Sequence, residues 1–299
     1  MDSALTTIAL PIALAIIMLG LGLSLTPGDF RRIARHPKAV IVALACQLLL
    51  LPLVCFGLVL LFRLPPLLAV GMMLLAASPG GTTANLYSHL FRGDIALNIS
   101  LTAINSIVSV LTLPVIVNLS IAYFQPGDGQ VGIQLAKALE VVAIVLLPVA
   151  LGMLIRWWKP DFAKRMDKPV RIASIIILAV VIIGAVVANL QPLLDNFAAL
   201  AGVVVLFCLL SLTIGYVVPL LLRINREQAI ASSFEIGIHN ATLAIVVAQT
   251  VLNSFEMSLP GAVYGVLMFF IAAGFGFLIR GRVARGAESA VVTSAPEGQ

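Results

Sequence analysis

Glu235, His239 and Asn240 fall within six residues of one another in the stretch SSFEIGIHNATLAIV, with Gly237 between the acid and the imidazole. Three chemistries are open to such a set. A carboxylate backed by amide and carbonyl oxygens suits a hard cation, and Na⁺ fits a chain with no cluster of cysteines or histidines. Glu235 and His239 are four residues apart and can share a helix face as metal ligands, although two ligands lack a third and Gly237 interrupts the geometry. Ser232 or Ser233 beside His239 would offer a hydrolase its nucleophile and base, but nothing else in the chain completes that machinery. No enzymatic activity is expected.

The surroundings of this cluster decide which chemistry is relevant. Hydrophobic residues make up 61% of the 299 and charged residues 10%, with a mean hydropathy of +1.12. Soluble domains carry about a quarter charged residues, so the chain reads as an all-α polytopic membrane protein. A span needs roughly 20 apolar residues to cross the hydrocarbon. Apolar runs separated by charge or by Gly and Pro give nine spans, over residues 4–26, 38–62, 66–91, 94–119, 134–157, 169–190, 196–222, 227–252 and 259–280. These runs are too long, and too uniformly apolar, for the strands of a barrel. The start, Met-Asp, lacks a basic segment, so the first span is expected to be retained rather than cleaved. The tail, 283–299, is small and polar and is expected to be disordered. Cys46, Cys55 and Cys208 all lie in apolar runs and read as small core residues.

Charge then orients the spans. Sixteen of the 18 Lys and Arg residues fall on one side of this arrangement, and only Arg63 and Lys137 fall on the other. The positive-inside rule places the C-terminus in the cytoplasm and the N-terminus outside, in a plasma (inner) membrane. The net charge of +5 follows from the same rule, and no nucleic-acid partner is expected. His36 and His89 fall at the cytoplasmic edge, where solvated roles are ordinary. Lys137 and Glu140, three apart, read as an interfacial pair, and Asn189 and Gln191 as helix-end polarity that could touch a substrate.

Depth brings distant residues together. Glu235 lies nine residues beyond Arg226, roughly 14 Å into the bilayer at 1.5 Å per residue. A carboxylate at that depth costs at least ~2.5–3.5 kcal/mol and points to a functional site. Gln47 lies equally far from Lys38, and Asn85, Asn98 and Thr102 fall within roughly 6–12 Å of the same face. Asn98, Thr102, Asn105, Ser106 and Ser109 recur at spacings of three and four, which predicts one polar stripe on the fourth span. Pro79-Gly80-Gly81 breaks the third span, and Gly237 interrupts the eighth. These two spans run in opposite directions, and paired interruptions of that kind point to an inverted-repeat transporter. Half-helix starts near Gly81 and Asn240 would attract an anion.

These residues resemble the bile acid:sodium symporter family over nearly the whole chain. The most specific parts are Pro79-Gly-Gly-Thr-x-x-Asn85, Arg92-Gly-Asp-Ile-Ala-Leu97 with Thr102, and Glu235-x-Gly-x-x-Asn240. The resemblance implies a panel domain (residues 1–30 and 132–192) and a core domain (38–119 and 196–281) in which two discontinuous helices cross. It implies one Na⁺ near Ala84, Asn85, Asn98, Thr102 and Glu235, and a second near Gln47, Glu235, Ile236, Ile238 and His239. The anion would meet Gly81, Thr82, Thr83 and Asn240. The implied function is Na⁺-coupled symport of a bile acid, or of a small carboxylate such as pantoate or pyruvate, by alternating access. The implied partners are the bilayer, Na⁺ and the anion, with the protein a monomer. Ala84 and Asn98 stand where the family commonly has serine, and His239 where glutamine is usual. Imidazole is a poor Na⁺ ligand, so His239 also opens a proton-coupled, exchange or export reading.

Overall fold

The computed structural model describes residues 10–26, 28, 37–125, 135–188, 190–195 and 197–293. Among these the regular structure is helical, and the one β-bridge is an isolated pair. In chain order the helices are α1 (Leu10–Ser24), α2 (Pro37–Leu61), α3 (Pro66–Ala77), α4 (Ala84–Leu90), α5 (Ile95–Phe124), α6 (Leu135–Trp158), α7 (Pro160–Ala188), α8 (Leu190–Asp195), α9 (Phe197–Leu221), α10 (Arg226–Gly237), α11 (Ala241–Val251) and α12 (Leu259–Thr293). Three helical stretches, Pro37–Leu61, Phe197–Leu221 and Glu256–Arg280, are each long and apolar enough to cross a membrane. A fourth is α5 if its two halves, bent by 54°, count as one span. The bend lies just before Pro114, whose ring displaces the carbonyl four residues earlier.

The surface follows the solvent. Ile176, Val180, Ile183 and Val187 form an exposed apolar stripe along α7, as Ile107, Leu111, Val115 and Leu119 do along α5. Exposed apolar rows at helical spacing are what a lipid-facing surface requires. On the opposite face of α5, Asn98, Thr102, Asn105, Ser106 and Ser109 are all buried, which puts the polar stripe inside the protein.

At the centre lie α3 and α10. Residues 68–77 and 228–237 are buried on every side, so beyond their first two residues both half-helices are enclosed by protein. Proline accounts for the shape of α3. Pro66 suits the first turn, and Pro79 forces Ser78 into an extended conformation (ψ 148°) that ends the helix. Asn225 caps the start of α10 by accepting from Gln228 N at 2.9 Å, and Asn240 caps α11 by accepting from Leu243 N at 3.0 Å.

The turns leading into α3 and α10 are copies of one another. Phe62, Arg63 and Leu64 donate backbone hydrogen bonds to Leu58, Leu60 and Val59; Leu222, Arg223 and Ile224 donate to Val218, Leu220 and Pro219. Arg63 (φ 51°) and Arg223 (φ 58°) both adopt the left-handed conformation that closes a helix end. The helices that follow, α3 and α10, are both 12 residues long. Elsewhere α1, α6 and α7 pack against one another, while α3, α5, α9, α10 and α12 form a second group.

Three boundaries differ from the sequence reading. Helix α7 begins at Pro160 rather than near 169, because Pro160 and Asp161 are favourable first-turn residues and Ala163, Lys164 and Arg165 continue the helix well. Helix α5 runs to Phe124. Helix α12 continues to Thr293, so the backbone from Val283 to there is helical where disorder is expected; alanines at 284, 287 and 290 favour this. Residues 4–9, 294–299, His36 and Asn189 lie outside the described residues, as do the side chains of Lys137 and Glu140.

Candidate ion and substrate site

The two interruptions meet. Residues 78–83 separate α3 from α4, and residues 238–240 separate α10 from α11. Gly80 and His239 form an antiparallel bridge flanked by Gly81 N donating to Ile238 O (2.6 Å) and Asn240 N donating to Pro79 O (2.8 Å). Each break thus satisfies backbone groups that the other leaves unpaired inside the protein. Only glycine fits at the crossing. A methyl on Gly80 would overlap the Glu235 carboxyl and come within 2.7 Å of the Glu235 main-chain oxygen.

Helix α5 sets Glu235 in place through three contacts spaced four residues apart on both helices. Asp94 N donates to Glu227 O (2.9 Å), Asn98 Nδ2 to Ala231 O (2.7 Å), and Thr102 Oγ1 to Glu235 Oε2 (2.5 Å). Because both helices rise 1.5 Å per residue, the register that aligns Asp94 with the start of α10 also brings Thr102 level with the carboxyl. Asn105, one turn beyond Thr102, also lies beside Glu235.

A second convergence lies at the end of α3. The Ser78 carbonyl accepts from Gln47 Nε2 at 3.1 Å and lies 3.4 Å from His239 Nδ1. Gln47 reaches it from a π-turn, Cys46–Leu50, that rotates α2 locally. The His239 ring stacks on Phe207, with centroids 5.5 Å apart and planes 8° from parallel, and Tyr264 covers another side at 5.4 Å. Tyr264 Oη also donates to Gly237 O at 2.8 Å.

What these groups leave unpaired defines the chemistry. Glu235 Oε1, Asn85 Oδ1, Asn98 Oδ1, Asn105 Oδ1 and Gln47 Oε1 are all buried without a hydrogen-bond partner. The amide oxygens can only accept, as can the carboxylate when ionised, and leaving one unsatisfied in a low-dielectric interior costs about 1–3 kcal/mol. A cation that prefers oxygen satisfies several at once.

A cavity of about 400 Å³ adjoins the crossing. Gly81, Thr82, Thr83, Asn85, His239 and Asn240 contribute to its wall, which is completed by α1, the start of α5 and the middle of α12. Its volume is within the range of small-molecule sites, about 300–1,000 Å³.

The residues singled out from the sequence fall into three sets. Asn98, Thr102 and Glu235 join across α5 and α10. Gln47 and His239 meet at Ser78, next to Ile238, whose carbonyl accepts from Gly81 and keeps a second lone pair. Gly81, Thr82, Thr83 and Asn240 share the cavity wall with Asn85, while Ala84 is fully buried beside them. Ile236 is buried within α10, one residue past Glu235. Three further participants emerge: Asn105, legible in the polar stripe; Ser78, which acts through its carbonyl and leaves no side-chain signal; and His89, which is exposed and also lines the cavity. Ser233 donates to Leu212 O at 2.7 Å, so its hydroxyl is already engaged.

Interrupted helices that meet around a buried carboxyl group define a class of helical membrane proteins, the secondary transporters. Comparison with known proteins narrows it. The profile of the sodium bile acid symporter family matches residues 11–196, more than half of the chain, and the chain belongs to that family. An uncharacterized sodium-dependent transporter of Bacillus subtilis, YocS, is 28% identical over 258 residues, covering 85% of this chain and 78% of its own length. A probable sodium/metabolite cotransporter of Arabidopsis thaliana chloroplasts, BASS1, is also 28% identical over 258 residues, and the match spans 62% of its length. Human sodium/bile acid cotransporter 4 is 38% identical over 102 residues, 34% of this chain and 23% of the human one. The family profile ends before Glu235, but an alignment covering 85% of the chain must include both residues 79–85 and 235–240.

Proposed function

We propose that the protein couples the inward movement of Na⁺ to that of a small organic anion by alternating access. The observation that carries this reading is the set of buried, unpartnered oxygens around the junction of the two interrupted helices. Glu235 supplies the fixed charge of a first ion position, with Asn85, Asn98, Thr102 and the carbonyl of Ala84 as its other ligands. A second position lies at Gln47, Glu235, His239 and the carbonyls of Ile236 and Ile238. The names of the relatives, sodium-dependent transporter, sodium/metabolite cotransporter and sodium/bile acid cotransporter, favour the same ion.

In this reading the helices make nine spans arranged as inverted repeats, in a multi-pass plasma-membrane protein with its C-terminus in the cytoplasm. The duplicated turns before α3 and α10 support the repeats. The mutual packing of α1, α6 and α7 supports a panel that is separate from the core. The cavity lies between the two groups and is lined by residues on the cytoplasmic side of the crossing, among them Ser24, His89 and Ile95. In the orientation set by the Lys and Arg residues, this lining supports an inward-facing conformation. Ion binding at Glu235 satisfies the oxygens around the joined breaks, and Thr82, Thr83 and Asn240 then hold the anion. By linkage the anion must raise Na⁺ affinity by the same factor as Na⁺ raises its own. Bile acids and small carboxylates such as pantoate or pyruvate are the candidate cargo.

Uptake into proteoliposomes tests this. Glu235→Gln keeps the shape and removes the charge, so Na⁺-driven uptake should be abolished while the fold persists. Full Na⁺-driven uptake in that variant would falsify the assignment.

A second reading has His239 as the titrating group of a proton-coupled or exchanging carrier. It is favoured by one observation: with Nδ1 turned to the Ser78 carbonyl, the buried His239 Nε2 has no partner and keeps a lone pair that can take a proton. Uptake driven by a pH gradient in the absence of Na⁺ would select it.

A further inference from the structure

We infer that His89 anchors the carboxylate of the transported anion, an assignment that rests on the organic-anion reading above. His89 lies on α4 four residues beyond Asn85, so the two side chains project from the same helix face, and both line the cavity. Two histidines contribute to the cavity wall. His239 is buried with its ring packed against Phe207 and Tyr264, whereas His89 is exposed. Among the described residues lining the cavity there is no Lys, Arg, Asp or Glu. Among the described residues of the wall, His89 is thus the one accessible side chain of a type that can present a positive charge to a ligand.

The rest of the wall is consistent with an amphipathic anion. Thr82 and Thr83 bring hydroxyl donors from the chain segment leading into α4, while Leu86, Ile95 and Phe269 offer apolar surface. A carboxylate held at His89 leaves the body of the molecule against these apolar side chains. Among the described residues the same wall offers no acidic side chain to a cationic cargo.

The test pairs a change in the protein with a change in the ligand. Cholate, pantoate and pyruvate are each compared with the corresponding neutral primary amide, using full-length wild type, His89→Phe and His89→Gln in the presence of Na⁺. Binding and uptake are both measured. In wild type at least one carboxylate binds more tightly than its amide. In His89→Phe the carboxylate weakens about tenfold, the size of one charge-assisted hydrogen bond, while the amide changes less than about twofold. KM rises with the maximal rate retained, and His89→Gln, which keeps a donor, lies between. Thermal stabilisation by Na⁺ is unchanged in both variants, since His89 is absent from the ion positions. A carboxylate-to-amide ratio in His89→Phe equal to that of wild type overturns the assignment and leaves the symport reading standing. If wild type binds none of the three anions with Na⁺ present, the organic-anion reading itself fails, and the role of His89 fails with it.

Discussion

Gly80→Ala puts the crossing under direct test. A β-carbon at residue 80 would overlap the Glu235 carboxyl and sit 2.7 Å from the Glu235 main-chain oxygen. The carboxyl can swing away, but doing so breaks its 2.5 Å bond with Thr102. The main-chain oxygen cannot move without shifting α10. Overpacking of this kind costs about 1–3 kcal/mol. If the bridge opens, the bonds Gly81 N to Ile238 O and Asn240 N to Pro79 O are lost as well, at about 0.5–1.5 kcal/mol each. The expected total is about 2–6 kcal/mol. Two measurements report it: the unfolding temperature of the purified protein, and the rise in that temperature on adding Na⁺. Both should fall, the second almost to zero, because the displaced carboxyl no longer faces the oxygens of α5. Gly57→Ala is the control, since a β-carbon there meets nothing within 4 Å. Wild-type stability with an unaltered Na⁺ response in Gly80→Ala would mean that the breaks do not meet as described.

Other expectations follow from single contacts. Thr102→Val removes the hydroxyl that orients Glu235 and should weaken apparent Na⁺ affinity about tenfold, as expected for one hydrogen bond to a charged group; an unchanged Na⁺ titration of uptake would remove Thr102 from the ion position. Asn240→Ala removes the cap of α11, at a cost of about 1 kcal/mol in stability, and should also raise the KM for the anion; an unchanged KM would confine Asn240 to a capping role. His239→Gln replaces the imidazole with an amide whose oxygen can lie beside Gln47. Stronger Na⁺ dependence and a flatter pH profile of uptake are expected, and a profile identical to wild type would exclude His239 from coupling.

Why some of this was legible in the sequence and some was not comes down to the range of the forces involved. Apolar length and the asymmetry of Lys and Arg are local properties, and a bilayer reads them one segment at a time. The same holds for the breaks: Pro79 and its two glycines stop α3 wherever the chain is placed. The polar stripe of α5 and the burial of Glu235 were likewise implied, since every such group at mid-bilayer depth must turn away from lipid. The helical extension of α7 back to Pro160 was missed because its charge suggested a loop, while its caps and propensities favoured a helix.

Composition and spacing therefore determined a helical membrane protein with two interrupted spans and a carboxyl group at mid-depth. Tertiary packing alone decided which atoms meet. Nothing local specifies that Gly80 must face His239, that the Ser78 carbonyl gathers Gln47 and His239, or that His89 lines a cavity with Asn240. Those pairings join residues more than 30 positions apart, and a backbone carbonyl carries no residue-type signature. They are fixed only when buried backbone groups at one break find their partners at the other, because neither lipid nor a packed interior supplies a substitute.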